Sequence, residues 1–196
     1  MMNRRTVSGL FGLALASLVC LIPNHMAMAR VGLRISAGGS ATFPQGEWND
    51  DYDTGYRGQM ALTVIPAGSP VRFRITESYS HYDSPPPFYG TGSLSLSGVQ
   101  FQVLWSPFTS SPIQPYVCAG YGAYYVHTRR KFGTATVLFD SKSSYHTDDA
   151  VDAGLGIEIP WRRMALSVET TYFRVVSTDA FESLNLAAGV SYALLQ

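Results

Sequence analysis

The stretch from residue 115 to residue 127 alternates between two kinds of side chain. Successive side chains of an extended strand point to opposite faces, so this alternation divides the stretch into two faces. One face is apolar and ends in tyrosines: Val117, Ala119, Tyr121, Ala123 and Tyr125. The other face is small or hydroxyl-bearing: Tyr116, Cys118, Gly120, Gly122 and Tyr124. Such a strand suits a membrane-spanning barrel, with its apolar face toward lipid and its small or hydroxyl-bearing face toward a closely packed lumen.

Seven further segments of the chain alternate with the same period of two. They cover residues 31–37, 59–64, 71–79, 93–105, 150–159, 164–173 and 184–194. One local conflict occurs before Val99, where Leu94 and Leu96 are out of phase with the later apolar positions of their segment. An extra residue in one strand shifts this phase, so we expect a β-bulge near Gly98.

The connections between these segments are alternately long and short. Long or polar connections cover residues 42–57, 80–92, 128–149 and 177–183, and short turns cover residues 66–70, 106–112 and 160–163. Long loops at one end and short turns at the other are typical of membrane-spanning barrels. The sheet must close, because an open edge in lipid would leave backbone groups without hydrogen bonds. The sequence therefore predicts an all-β fold, an eight-stranded antiparallel up-and-down transmembrane β-barrel.

The N-terminus has the three regions of a secretory signal peptide. Arg4 and Arg5 precede an apolar run over residues 10–22, and an Ala-Met-Ala cleavage site ends at position 29. The alternative is a membrane anchor, but the run is too short to span a bilayer comfortably. We therefore expect a cleaved signal peptide over residues 1–29 and a barrel domain over residues 30–196.

Composition narrows the class of protein further. Charged residues make up only 14% of the chain, against about 25% in a typical soluble protein. Loss of Arg4 and Arg5 with the signal peptide would leave 12 of the 14 basic side chains against 14 acidic ones, a balance that does not favour nucleic acid as a partner. Cleavage would also remove Cys20, so Cys118 would have no partner for an intramolecular disulfide.

Three short sequences carry a resemblance to a known family. These are Pro-Tyr-Val-Cys-Ala-Gly-Tyr-Gly at 115–122, Ala-Gly-Leu-Gly-Ile-Glu-Ile at 153–159 and Leu-Ser-Val-Glu at 166–169. With the layout of the whole mature chain, they resemble the small eight-stranded outer-membrane barrels of Gram-negative bacteria, the outer-membrane protein A-like and opacity-protein-like group. Two features depart from that pattern: Cys118 stands where such strands often have glycine, and the chain ends in Leu-Leu-Gln instead of an aromatic residue.

The resemblance implies a location and a role. We expect a protein of the bacterial outer membrane with a structural or surface-interaction role, adhesion-like, that acts through its long extracellular loops. The expected partners are outer-membrane lipid and lipopolysaccharide, the barrel-assembly machinery, and an unidentified ligand on a host or envelope surface. The resemblance implies neither a cofactor nor nucleic acid.

Six charged side chains fall on the predicted inner face of their strands. They are Arg34, Arg72, Arg74, Asp152, Glu158 and Glu169. An eight-stranded barrel is only wide enough for side chains to fill its interior. Charges out of bulk water are tolerated when they are paired. We therefore expect a lumen that is filled by an ion-pair network and does not conduct; a proton or ion path is the alternative interpretation.

Two groups of residues are candidates for contacts outside the barrel. The first long loop carries Trp48, Asp50, Asp51 and Tyr52, and the third carries Arg129, Arg130 and Lys131; both suit surface binding, because loops on a rigid scaffold commonly carry function. Aromatic residues near strand ends are expected to form belts at the two membrane interfaces. They are Trp105, Tyr116, Tyr124, Tyr125, Trp161, Tyr172 and Tyr192.

Two groups of residues resemble a catalytic triad and a metal site, but they lack the spacing that either kind of site needs. His81, Asp83 and Ser84 lie within four residues of each other beside a proline-rich loop, whereas a catalytic triad needs partners that a scaffold places from separate segments. His146 with its neighbouring aspartates lacks the further ligands of a metal site. We therefore expect no enzyme and no metal. Two alternatives stay open: a lipid A-modifying outer-membrane enzyme, and a soluble periplasmic lipocalin-like carrier of a small apolar ligand, whose inner face would have to be apolar.

Overall fold

The chain forms a closed barrel of eight antiparallel strands. The computed structural model describes residues 31–83, 90–134, 137–176 and 180–195. The strands are β1 (Val31–Pro44), β2 (Gly55–Pro66), β3 (Val71–Asp83), β4 (Gly90–Trp105), β5 (Gln114–Thr134), β6 (Val137–Trp161), β7 (Met164–Val176) and β8 (Glu182–Leu195), and one short helix, α1 (Trp48–Asp51), follows β1. Each strand pairs with the next, and β1 pairs with β8. The predicted fold class is therefore confirmed.

Some predictions concern parts of the chain that are not described. The predicted signal peptide, residues 1–29, and Ser84 lie outside the described residues. The cleavage site stays a prediction. Across the described ranges, no helix has the length and apolarity needed to cross a membrane.

The third long loop is a correction to the sequence-based expectation. Residues 128–149 were expected to form a loop, but β5 and β6 continue as a paired hairpin from Gln114↔Glu158 to Thr134↔Val137. The apolar alternation stops near position 128 while the backbone ladder continues. In water both faces of a hairpin can be polar, so the pattern that marks a lipid-facing strand disappears although the strand does not.

The expected bulge near Gly98 is wrong. β4 pairs with β3 and with β5 in an unbroken register, so Leu94 and Leu96 lie on the same inner face as Gln100 and Gln102. Leu94 and Leu96 are almost fully buried. The phase conflict in the sequence arises because the lumen itself becomes apolar toward the end with the long loops.

The outside of the barrel carries an apolar band between its two ends. Mid-strand residues that face outward include Phe101, Leu155, Val168 and Leu186, which are 48–62% exposed. A soluble protein rarely leaves a continuous apolar surface of this size uncovered. An outward apolar band is the feature by which membrane barrels contact lipid.

Candidate functional site

The side chains of the lumen form two layers stacked along the barrel axis. The ionic layer at the end with the short turns is called the inner layer, and the apolar layer at the end with the long loops is called the outer layer. The group of the inner layer nearest the short turns is centred on Glu158. Its Oε1 accepts a hydrogen bond from Arg72 Nη1 at 3.0 Å and another from Arg34 Nη1. Arg72 Nη2 also donates to Gln114 Oε1 at 2.8 Å. These contacts join β1, β3, β5 and β6 across the lumen.

The second group of the inner layer is centred on Glu169. Arg74 Nη2 donates to both of its carboxylate oxygens, at 2.9 and 2.7 Å, and the Tyr116 hydroxyl donates to Oε2 at 2.8 Å. Arg74 Nε donates to Gln102 Oε1 at 2.7 Å. Arg74 lies on β3 and Glu169 on β7, so this pair crosses the full width of the barrel.

Asp152 is the predicted network residue that forms no ion pair with an arginine among the described residues. One of its carboxylate oxygens accepts a hydrogen bond from the side-chain amide of Gln102, and the other has no hydrogen-bond partner within the described part of the chain. Gly120 makes room for both side chains, since a Cβ there would collide with Asp152 and Gln102. Among the described ion pairs, those of the lumen join Arg34, Arg72 and Arg74 to Glu158 and Glu169.

Arg57 is a lumen residue that the sequence-based reasoning missed. It is 7% exposed, and its Nη2 donates to the Ser78 hydroxyl and to the Tyr124 hydroxyl, each at 2.8 Å. Its guanidinium also lies 5.3 Å from the centre of the Phe173 ring. From the sequence alone, Arg57 is expected in a loop. It lies two residues before Gln59, the inward residue that begins the predicted strand, so the same alternation directs Arg57 inward.

The outer layer of the lumen is apolar and aromatic. Its buried members are Tyr52, Tyr82, Leu94, Leu96, Tyr124, Val126, Ala150, Phe173, Val175 and Phe181. The Tyr124 and Phe173 rings meet edge to face with centroids 4.9 Å apart, and so do those of Tyr82 and Phe181. Edge-to-face pairs of this kind add to the stabilisation from burial.

Helix α1 covers the outer layer at the rim. Trp48 stacks on Tyr52 with ring centroids 5.7 Å apart, and Trp48 Nε1 donates to the carbonyl oxygen of Ala180 at 2.8 Å. Tyr52 is 4% exposed, so its assignment as a surface contact is wrong. Its ring enters the mouth of the barrel because the apolar outer layer offers it burial.

We expect Trp48→Phe to weaken this cover. Phenylalanine keeps most of the ring contact but cannot donate to Ala180, which should lower the free energy of unfolding by about 0.5–1.5 kcal/mol. Urea unfolding in detergent micelles measures the change, with Trp105→Phe on the barrel exterior as the control. A Trp48→Phe protein as stable as the parent would mean that this hydrogen bond does not hold α1 in place.

The remaining surface candidates lie at the same end of the barrel. Asp50 and Asp51 are exposed on α1, and Arg129 is exposed on β5. Arg130 and Lys131 belong to β5 as well, so these three basic residues are part of the hairpin and not of a loop. His146 Nε2 lies 2.9 Å from Asp148 Oδ2. The described residues contain no cluster of three or more metal-ligating side chains.

Aromatic side chains surround the exterior at two heights. Tyr56, Tyr79, Tyr125, Tyr145 and Tyr172 face outward near the long loops, and Trp105, Trp161 and Tyr192 face outward near the short turns. Two residues expected in these belts do not belong to them: Tyr116 and Tyr124 are buried in the lumen at 5% and 0% exposure. Their hydroxyls bind Glu169 and Arg57 there, which a position at the lipid interface would not provide.

Comparison with known proteins supports the fold. No protein-family model matches the sequence, and no curated protein matches it. Among solved structures, Neisserial surface protein A is similar with a TM-score of 0.56 and 16% identity over 82% of this chain and 96% of that chain. A major outer membrane protein from Thermus thermophilus is similar with a TM-score of 0.57 and 12% identity over 83% and 99%. The chain therefore has the fold of the small eight-stranded outer-membrane β-barrels.

Proposed function

We propose that the protein is an integral barrel of the bacterial outer membrane whose filled lumen does not conduct. The observation that carries this proposal is the pair of layers that cross the lumen. Arg74 and Glu169 join opposite walls in the inner layer, and Tyr124 and Phe173 fill the outer layer. A water-filled pore would need an uninterrupted polar path, and the buried apolar side chains of the outer layer, each at most 6% exposed, interrupt it.

The exterior supports a position in the membrane. An apolar band lies between two aromatic belts, which is the arrangement expected where rings sit at the headgroup level on both sides of a bilayer. A soluble carrier of apolar ligands would need the opposite arrangement, with apolar residues lining the lumen along its whole length. Here the inner half of the lumen carries ion pairs.

We propose that the rim acts by surface interaction. Helix α1 presents Asp50 and Asp51, and the long hairpin of β5 and β6 carries Arg129 at the rim of the barrel. Basic side chains on such a hairpin suit the phosphate groups of lipopolysaccharide. Export through the predicted signal peptide and insertion by the barrel-assembly machinery belong to the same proposal.

The buried thiol of Cys118 offers a native probe of the closed lumen. Cys118 is 5% exposed and packs against Leu104 and Tyr116 on the inner face. We expect a water-soluble maleimide to leave it unmodified in the folded barrel reconstituted in lipid vesicles, and to modify it after unfolding in urea. Mass spectrometry of the intact protein gives the extent of modification.

A matched variant controls for access of the reagent. In a Cys118→Ser background, Ser110→Cys places a thiol in an exposed turn, and this thiol should react at once in the folded protein. Rapid modification of native Cys118, or discrete channels in a planar bilayer, would contradict the filled lumen. Recovery of the protein in the soluble fraction of a cell lysate would instead contradict the membrane location.

A further inference from the structure

We propose that Ser95, His81 and Asp83 form a hydrolytic site on the outside of the barrel that cleaves acyl esters at the membrane interface. The Ser95 hydroxyl lies 2.9 Å from His81 Nδ1, and His81 Nε2 lies 3.2 Å from Asp83 Oδ1. A serine, a histidine and a carboxylate are hydrogen-bonded here in the order of a catalytic triad, with the two ring nitrogens interchanged relative to the serine-protease arrangement.

The barrel supplies the scaffold that the local sequence lacks. Ser84 is close to His81 and Asp83 in the chain, whereas the register pairs His81 of β3 directly with Ser95 of β4. Asp83 lies two residues beyond His81 and therefore shares its face of the strand. The nucleophile thus comes from a separate, rigidly paired segment, as a triad requires.

The hydrogen bonds define one role for each side chain. Asp83 accepts the Nε2 proton of His81, so the lone pair of Nδ1 faces the Ser95 hydroxyl and can take its proton. The Asp83 side chain is 74% exposed and that of His81 is 22% exposed. The carboxylate therefore stays in contact with water, while the imidazole is sheltered enough to hold a fixed orientation.

Two further groups surround the serine. The Tyr79 hydroxyl donates to Ser95 Oγ at 3.4 Å and is within reach of the oxygen of a carbonyl bound there. On the other side, the register pairs Ser95 with His127, whose ring stacks on Tyr145 at 4.4 Å between centroids. His127 Nε2 is buried and has no hydrogen-bond partner among the described residues. Tyr79 is the donor we assign to the oxyanion.

The height of the site on the barrel indicates its substrate. Ser95 precedes Trp105 by ten residues on β4. At roughly 3.3 Å per residue and a strand tilt of about 40°, the two lie roughly 25 Å apart along the barrel axis, the height of the apolar band of a membrane barrel. With Trp105 at one interface, Ser95 reaches the other, where the ester groups of membrane lipids lie. The inference rests on the proposed membrane location.

The reaction balances without a cofactor. Ser95 Oγ attacks the ester carbonyl carbon while its proton moves to His81 Nδ1, and the proton then passes to the alcohol oxygen as the ester C–O bond breaks. Water next attacks the acyl-serine and gives a proton to Nδ1. The Ser95–acyl bond breaks, the proton returns to Ser95, and a free fatty acid leaves.

The test uses the protein purified from bacterial envelopes and reconstituted in two kinds of vesicle, one of phosphatidylethanolamine and one that also contains lipid A. Flotation with the vesicles first tests the membrane location by itself. We then expect release of free fatty acid, and covalent labelling of Ser95 by a fluorophosphonate probe. Release from both kinds of vesicle identifies phospholipid esters as substrate, and release only with lipid A present identifies lipid A.

Matched variants separate catalysis from folding. Ser95→Ala and His81→Ala should each reduce the release roughly 10³-fold or more. Ser97→Ala, one position further on the same face of β4, should leave it unchanged. Asp83→Asn should slow labelling of Ser95, and Asp83→Glu should restore part of the rate. A barrel that floats with the vesicles but releases no fatty acid from either kind, or a Ser95→Ala variant as active as the parent, would overturn the proposal.

Discussion

Glu169→Gln should lower the free energy of unfolding of the barrel by about 3–5 kcal/mol, because it leaves the Arg74 guanidinium without its counter-charge inside the lumen. The side chains of Arg74 and Glu169 are only 13% and 9% exposed. Glutamine has nearly the same volume, so the loss reports the charge and not a cavity. Urea unfolding in lipid vesicles, followed by tryptophan fluorescence, measures the change.

Two comparisons identify the cause of that loss. The double variant Arg74→Gln/Glu169→Gln should recover much of the stability, because it removes both buried charges together. Glu182→Gln breaks the exposed pair with Arg174, at 3.3 Å, and should cost no more than about 1 kcal/mol. A double variant no more stable than Glu169→Gln would show that the ion pair is not what the lumen depends on.

The inward position of Arg74 and Glu169 follows from the sequence alone. Each lies in a strand whose opposite face is apolar, and a period of two is enough to assign the face. Which arginine meets which carboxylate does not follow, since that depends on the stagger of all eight strands around the barrel. For this reason the sequence could not separate Asp152, which binds Gln102, from the two glutamates that bind arginines.

The outer layer of the lumen was missed for a different reason. A membrane barrel is expected to be apolar outside and polar inside, so Leu94 and Leu96 were interpreted as a change of face and not as inward apolar residues. The lengths of β5 and β6 were also underestimated at the end with the long loops. A polar hairpin in water lacks the apolar alternation on which the prediction of strands depends. The contact of His81 with Ser95 could not be predicted either. It depends on the register between β3 and β4, which the spacing of residues in the sequence does not report.

Leu155→Arg should destabilise the membrane-folded barrel by about 2–4 kcal/mol, because it places a charge on the lipid face near the bilayer midplane. Leu155 is 62% exposed on the exterior, paired with Val117 of β5 and Thr170 of β7. Unfolding in urea from lipid vesicles gives the cost. Thr147→Arg on the same strand, outward at the height of Tyr125, should cost only about 0–1 kcal/mol, because an interfacial arginine reaches water.

An arginine at the neighbouring residue, Gly154, provides a direct comparison between the lumen face and the lipid face of β6. Gly154 points into the lumen, where an added Cβ would already lie 2.5 Å from the Thr171 side chain. Gly154→Arg should therefore prevent the strands from closing properly in detergent as well as in lipid, whereas Leu155→Arg should lose stability chiefly in lipid. If Leu155→Arg folded into vesicles as stably as the parent, the outer face would not contact lipid, and the membrane location would have to be abandoned together with the interfacial esterase that depends on it.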